Sequence, residues 1–185
     1  MNPHVSRVAI IATVLLALSG VARAGNDVWT PLGPDGGGQI MSLASDPLVP
    51  GTLYGGFLSE RGVWKTTDGG DYWFRADAGI PTGAGHILAL GVSPGDSNVV
   101  FALGSNRQVY KTTNGGTSWA AASAGLPADG SGSRASIVFE PGAPNTLYVS
   151  WNMSEGSLFK STDGGANWEG HDPLPSKIVR ELVGA

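Results

Sequence analysis

One eleven-residue sentence is written three times in this chain: Val63-Trp-Lys-Thr-Thr-Asp-Gly-Gly-Asp-Tyr-Trp73, Val109-Tyr-Lys-Thr-Thr-Asn-Gly-Gly-Thr-Ser-Trp119 and Leu158-Phe-Lys-Ser-Thr-Asp-Gly-Gly-Ala-Asn-Trp168. Their closing tryptophans are 46 and 49 residues apart. A unit of this length cannot bury its own apolar face, so copies must stack on one another. The filling between the copies decides the type of unit. It consists of short alternating apolar runs separated by Gly, Pro, Asn and Asp, which is the pattern of β-strands and tight turns. The chain's 29 Gly and 12 Pro among 185 residues belong to those turns, since no Gly-X-Y period is present.

Each unit reads as four strands. The first strands are Ile40–Ala44, Ile87–Val92 and Ser136–Phe139, and the second are Thr52–Phe57, Val99–Leu103 and Thr146–Trp151. The third are Gly62–Thr66, Gln108–Thr112 and Ser157–Ser161, and the fourth begins at the repeat tryptophan. Asp46-Pro47, Pro94-Gly95-Asp96 and Pro141-Gly142-Ala143-Pro144 supply turns between first and second strands. Four-stranded antiparallel sheets repeated at this period predict an all-β fold, a β-propeller with blades at about 38–77, 85–123 and 134–172. Trp29 precedes Ile40 much as Trp168 precedes Ile178, so residues 28–33 read as a lone fourth strand and 177–183 as a lone first strand. Three blades do not close a ring, because propellers have about four to eight. The ring then needs either a second copy, as in a homodimer, or blades from a longer chain.

The first 24 residues read as an address. A basic start is followed by the eleven-residue apolar run Val8–Leu18 and by Ala22-Arg23-Ala24, the three parts of a secretory signal peptide cleaved after Ala24. The apolar stretch to Ala22 would make about 22 Å of helix against a hydrocarbon core of about 30 Å, too short for a membrane anchor. Cleavage removes two of the 11 basic residues and none of the 15 acidic ones, leaving residues 25–185 at a net charge of −6. So acidic a chain is unsuited to nucleic acid, whose binding needs clustered Lys and Arg. These features predict a secreted or periplasmic protein with no membrane insertion after cleavage. With no Cys in the chain, disulfides, thiolate metal sites and cysteine nucleophiles are excluded.

The inner box is Thr66-x-Asp68-x-Gly70-x-x-Trp73, then Thr112-x-Asn114-x-Gly116-x-x-Trp119 and Ser161-x-Asp163-x-Gly165-x-x-Trp168. Its chemistry suits a turn: the Asp accepts from amides of its own turn, the glycines supply positive φ, and the tryptophan covers the hairpin base with its indole N–H bonded locally. Calcium ligation or acid–base catalysis by Asp68 and Asp163 is disfavoured, because Asn114 keeps the acceptor oxygen and loses the charge. The box resembles the Asp-box, or bacterial neuraminidase repeat. With Asp46-Pro47…Thr52-Leu53-Tyr54 and Pro144-Asn145-Thr146-Leu147-Tyr148, the wider unit is similar to sortilin-type, photosystem II assembly-factor-type and xyloglucanase-type propellers. That resemblance implies a propeller over residues 28–183 and a box remote from any active site, while activity has to be argued from a site.

No site is complete. A sialidase would need three convergent arginines, a Tyr/Glu pair and an Arg-Ile-Pro motif, and Ile80-Pro81 follows a Gly instead. An inverting hydrolase needs two carboxylates facing across a cleft. Asp35 and Asp129, in Gly-rich loops leading into first strands, are the weak catalytic candidates, with turn roles as the alternative. The glycine run at 33–38 has no following helix or Lys and is no phosphate cradle. His86 and His171 lack ligand partners at metal spacing, so neither metal nor cofactor is expected. Asn152-Met-Ser154 matches a glycosylation sequon. Trp64, aligned with Tyr110 and Phe159, reads as packing between blades, whereas Trp151 near Asn152 and Glu155 is the weak binding candidate, an indole that could stack on a sugar ring or anchor a partner if exposed. The expectation is therefore a non-catalytic module for a protein or polysaccharide partner, with a glycoside hydrolase or a fragment of one as the alternative.

Overall fold

The computed structural model describes residues 39–58, 60–128, 132–152 and 158–171. The signal segment, both lone flanking strands, Asp35, Asp129, Ser154 and Glu155 lie outside them. The described residues form three four-stranded antiparallel sheets, each made of four consecutive strands in chain order. The first sheet is β1 (Ile40–Ser45), β2 (Leu53–Phe57), β3 (Val63–Thr66) and β4 (Phe74–Arg75). The second is β5 (Ile87–Ser93), β6 (Asp96–Gly104), β7 (Val109–Thr112) and β8 (Ala120–Ala121). The third is β9 (Ala135–Glu140), β10 (Ala143–Trp151), β11 (Leu158–Ser161) and β12 (Glu169–Gly170). The first strands are the neighbours between sheets, β1 beside β5 and β5 beside β9, so the sheets fan out from a hub like propeller blades. One 3₁₀ turn, Thr82–Ala84, sits in the linker between the first two blades.

Two strand boundaries move from expectation for a physical reason. The second strands of blades two and three start earlier, at Asp96 and Ala143, because the turns before them take only two residues and pairing resumes at once. In blade one a longer turn is held by Asp46, whose Oδ1 accepts from the Leu48 and Val49 amides and from Ser97 Oγ of the next blade. The fourth strands begin one residue after the repeat tryptophan and are two residues long. The tryptophan amide is engaged elsewhere: Trp119 N–H donates to Ala78 O and Trp168 N–H to Ala124 O, both at 2.8 Å.

These bonds cross from blade to blade. The indole N–H of Trp119 donates to Ala76 O at 2.6 Å and that of Trp168 to Ala122 O at 2.8 Å, so the indole is not bonded locally as its place in the hairpin suggested. The acceptors lie three and five residues after the preceding blade's own tryptophan, in Ala76-Asp-Ala78-Gly79-Ile-Pro81 and Ala122-Ser-Ala124-Gly125-Leu-Pro127. Gly79 and Gly125 follow at φ 94° and 88°, where a Cβ would fall on the carbonyl oxygen of Trp119 or Trp168. A second link runs the other way. Lys65 Nζ donates to Gly115 O and Lys111 Nζ to Gly164 O, each lysine lying over an aromatic ring of its own blade, Tyr54 or Phe101. Between the links the apolar core is continuous from Tyr54 and Val63 of blade one to Leu90 and Val92 of blade two.

Within each box the three copies repeat one hydrogen-bond scheme. Thr66, Thr112 and Ser161 take amides of the third- and fifth-position residues, Asp68 and Gly70, Asn114 and Gly116, Asp163 and Gly165. Their hydroxyls donate to Asp68, Asn114 and Asp163, whose Oδ1 accepts the amides of Tyr72, Ser118 and Asn167. Trp73, Trp119 and Trp168 close the turns at 8%, 5% and 3% exposure. The Asn167 side-chain and backbone N–H groups, with Ser161, hold the Asp163 carboxyl down at about 2, below its ordinary 3.8.

Two predictions follow from this geometry. Gly125→Ala meets both a forbidden φ and the Trp168 carbonyl, and is expected to cost about 3 kcal/mol or more. Gly142→Ala, at φ 76° with open space around it, should cost about 1–2 kcal/mol. Urea midpoints at unchanged m-value distinguish the two. A carboxyl depressed in the folded state contributes stability above its unfolded pKa and loses it as pH falls through the folded one. Thermal stability should therefore drop between about pH 4 and pH 2, less steeply in Asp163→Asn and more steeply in Asn114→Asp, which is otherwise neutral at pH 7.

Candidate functional site

Antiparallel order puts the boxes and the first turns at one end of the blades, and the loops between second and third strands at the other. Asp35 and Asp129 both belong to segments that lead into first strands, yet neither is among the described residues. Trp151 is corrected: it is not an exposed anchor but 1% exposed, packed edge-on to Phe159 with its indole N–H directed at Gly104 O of the neighbouring blade. Its position explains this, since it ends the central strand β10 and faces blade two. Trp64 is half-buried against Phe57, with the Arg75 guanidinium over its ring. His86 is partly buried and His171 exposed, and among the described residues no group of three His, Asp or Glu could hold a metal.

The concave surface lies instead between blades. One groove of about 460 Å³ runs between β4 with its linker and the box turn of blade two, from Lys65 to Thr117. An equivalent groove of about 420 Å³ runs between β8 with its linker and the box turn of blade three. Their backbones correspond, and their side chains do not. The second groove is lined by Ala120, Ala121 and Ser123 where the first has Phe74, Arg75 and Asp77. Tyr72, where blade two has Ser118, lies outside this lining; it stands 68% exposed and stacks on Phe74 with ring centroids 6.5 Å apart and an interplanar angle of 26°.

The polar groups of the first groove are held in place. Arg75 Nη2 donates to Asp77 Oδ2 at 2.6 Å and to Arg61 O at 2.9 Å, and the Asp77 partner raises the guanidinium above its ordinary pKa. Burial lowers Lys65 and pushes the Tyr54 hydroxyl up to about 12, so Tyr54 stays a neutral donor to Gly115 O. The result is an exposed aromatic pair, Tyr72 on Phe74, next in the chain to a residue held in a fixed ion pair. Such a surface can stack an apolar ring face and offer hydrogen bonds at its edge. Glycoside hydrolysis of the usual kind needs a pair of carboxylates, and the two grooves hold one, Asp77, paired with Arg75. The aromatic pair was missed in the sequence because the box drew the comparison. Aligning the residues around the box tryptophan shows it, with Tyr72, Phe74, Arg75 and Asp77 against Ser118, Ala120, Ala121 and Ser123.

No protein-family model and no curated protein matches the chain. Solved structures do. The GH74 enzyme of Niastella koreensis matches with a TM-score of 0.63 and 23% identity, over 78% of this chain and 24% of that one. An ancestral GH74 enzyme gives 0.62 and 27% over 83% and 21%, and the GH74 xyloglucanase of Xanthomonas campestris 0.62 and 20% over 74% and 24%. YCF48 bound to D1 peptide gives 0.55 and 18% over 82% and 45%. The chain thus spans between a fifth and a quarter of the GH74 enzymes and less than half of YCF48, and what it shares with them is the propeller blade.

Proposed function

We propose that the chain is a run of Asp-box propeller blades from an exported protein, and that it binds a neutral polysaccharide without cleaving it. The observation that carries this reading is the exposed aromatic pair of blade one: Phe74 lines its groove with Arg75 and Asp77 and carries Tyr72 stacked on it, while the equivalent groove is lined with small side chains. Exposed stacked aromatics add nothing to a blade's own packing, and sugar rings present flat C–H faces with hydroxyls at their edges. The acidic chain, net −4 before any cleavage, favours a neutral polymer over an anionic one. Export rests on residues 1–24, and no helix among the described residues is long and apolar enough to cross a membrane.

A second reading has its own support. Likeness to GH74 enzymes favours a glycoside hydrolase, or a piece of one, with Asp35 and Asp129 as the carboxylates. Electrophoresis through gels containing xyloglucan, mixed-linkage glucan or no polymer tests both readings alongside a reducing-end assay. Binding predicts retardation by a neutral glucan with no new reducing ends, and a loss of about tenfold in affinity, or about 1.4 kcal/mol, in Tyr72→Ala/Phe74→Ala. Reducing ends that disappear in Asp35→Asn/Asp129→Asn would establish the hydrolase, and the absence of retardation by every polymer would refute polysaccharide binding.

A further inference from the structure

Of the chain's asparagines, Asn114 alone is followed by glycine. In such a pair the backbone nitrogen of the second residue reaches the side-chain carbonyl of the first most freely, because glycine puts no Cβ in the way. The Asn114 side chain lies at the surface of the blade-two box and is fixed there by three hydrogen bonds. Its Oδ1 accepts from Thr112 Oγ1 at 2.8 Å and from the Ser118 amide at 2.9 Å, and its Nδ2 donates to Ser118 Oγ at 2.9 Å. Two donors on one carbonyl oxygen draw charge away from Cγ and make it more electrophilic. The nucleophile is what the fold holds back. Gly115 N–H donates to Asn98 O at 2.9 Å, as Gly69 N–H does to Gly51 O and Gly164 N–H to Asn145 O in the other boxes. On the far side of its Cα, the Gly115 carbonyl accepts Lys65 Nζ at 2.9 Å and the Tyr54 hydroxyl at 3.1 Å, both from blade one. Gly115 is thus pinned at φ 65° by its own blade on one side and by the preceding blade on the other.

We propose that Asn114 is a deamidation site that the seam between blades one and two keeps closed. When the seam opens locally, Gly115 can turn its nitrogen toward the side chain. That nitrogen gives its proton to hydroxide and attacks Asn114 Cγ; the new C–N bond forms, the Cγ–Nδ2 bond breaks, and Nδ2 leaves as ammonia with a proton from water. One water then opens the resulting five-membered succinimide, so that the net change consumes one water and releases one ammonia. Opening at Cγ gives aspartate, and opening at the backbone carbonyl gives isoaspartate. The box distinguishes the two products. An aspartate at position 114 is what the other copies carry as Asp68 and Asp163, so the turn re-forms with one more negative charge. Isoaspartate adds a methylene to the main chain, which carries the Gly116 amide away from Thr112 Oγ1 and the Trp119 indole away from Ala76 O. Gly115, Gly116 and Thr117 are also a wall of the blade-one groove, so an opening of the seam is recorded there as a permanent change of shape.

Peptide mass spectrometry of the chain aged at pH 8, in native buffer and in guanidinium chloride, tests this without a variant. Asn114 should gain one mass unit, as aspartate and isoaspartate, at least thirtyfold faster in the denaturant than in the folded chain. Equal rates in the two conditions, or no gain in the denaturant, overturn the proposal. The part played by the seam is read in Tyr54→Phe/Lys65→Met, which keeps the ring and the aliphatic stem and removes both donors to the Gly115 carbonyl. Aged in native buffer, with an unchanged circular dichroism spectrum, this variant should deamidate at Asn114 at least fivefold faster than the unaltered chain. A rate equal to that of the unaltered chain would assign the lock to the box alone and refute control by the seam. If the double variant loses its spectrum, Lys65→Met alone is read against the same two outcomes.

Discussion

The bond from each repeat tryptophan to the blade before it is the interaction on which the array depends. A β-sheet of four short strands has two apolar faces and cannot be stable alone; it must be covered on both sides. Trp119 and Trp168 join coverage to direction, because a large ring fills the seam while its N–H fixes which carbonyl of the neighbour it meets. Lys65 and Lys111 return a bond from the preceding blade to the box turn. A seam with polar contacts in both directions resists sliding in a way that apolar packing alone does not.

This arrangement explains why the box tolerates change where chemistry would not. Asn114 and Asp163 both accept amides through Oδ1, and the turn needs only that oxygen. The charge on Asp163 is carried at the surface, stabilised by Asn167. The binding surface proposed above sits where copies differ. The two grooves share a backbone dictated by the seam, which leaves their outward side chains free to vary. Blade two uses that freedom for alanines, and blade one for Phe74, Arg75 and Asp77. Rigid repeated backbone with variable furnishing is how solenoids and propellers host many ligands on one architecture.

The strand order, the count of blades and the turn role of Asp68, Asn114 and Asp163 were legible in the sequence, since they depend on local patterns: period-two alternation, Gly-Gly at positive φ, and a side chain reaching four residues ahead. Relations between blades were not legible. Nothing near Trp119 says that its proton goes to Ala76, 43 residues away, and nothing near Trp151 distinguishes an exposed anchor from a residue 1% exposed against Phe159. Ala-x-Ala-Gly reads as an ordinary linker until the tryptophan of the next blade is placed on it.

By itself the sequence determined that this chain builds repeated four-stranded antiparallel units joined by tight turns, because strand and turn propensities act within a few residues. Tertiary structure alone decided which faces are covered, where the Trp119 and Trp168 indole protons go, and that Tyr72 stacks on Phe74 at the surface of blade one. Burial and hydrogen-bond partnership between blades are properties of a seam whose two sides lie more than forty residues apart in the chain.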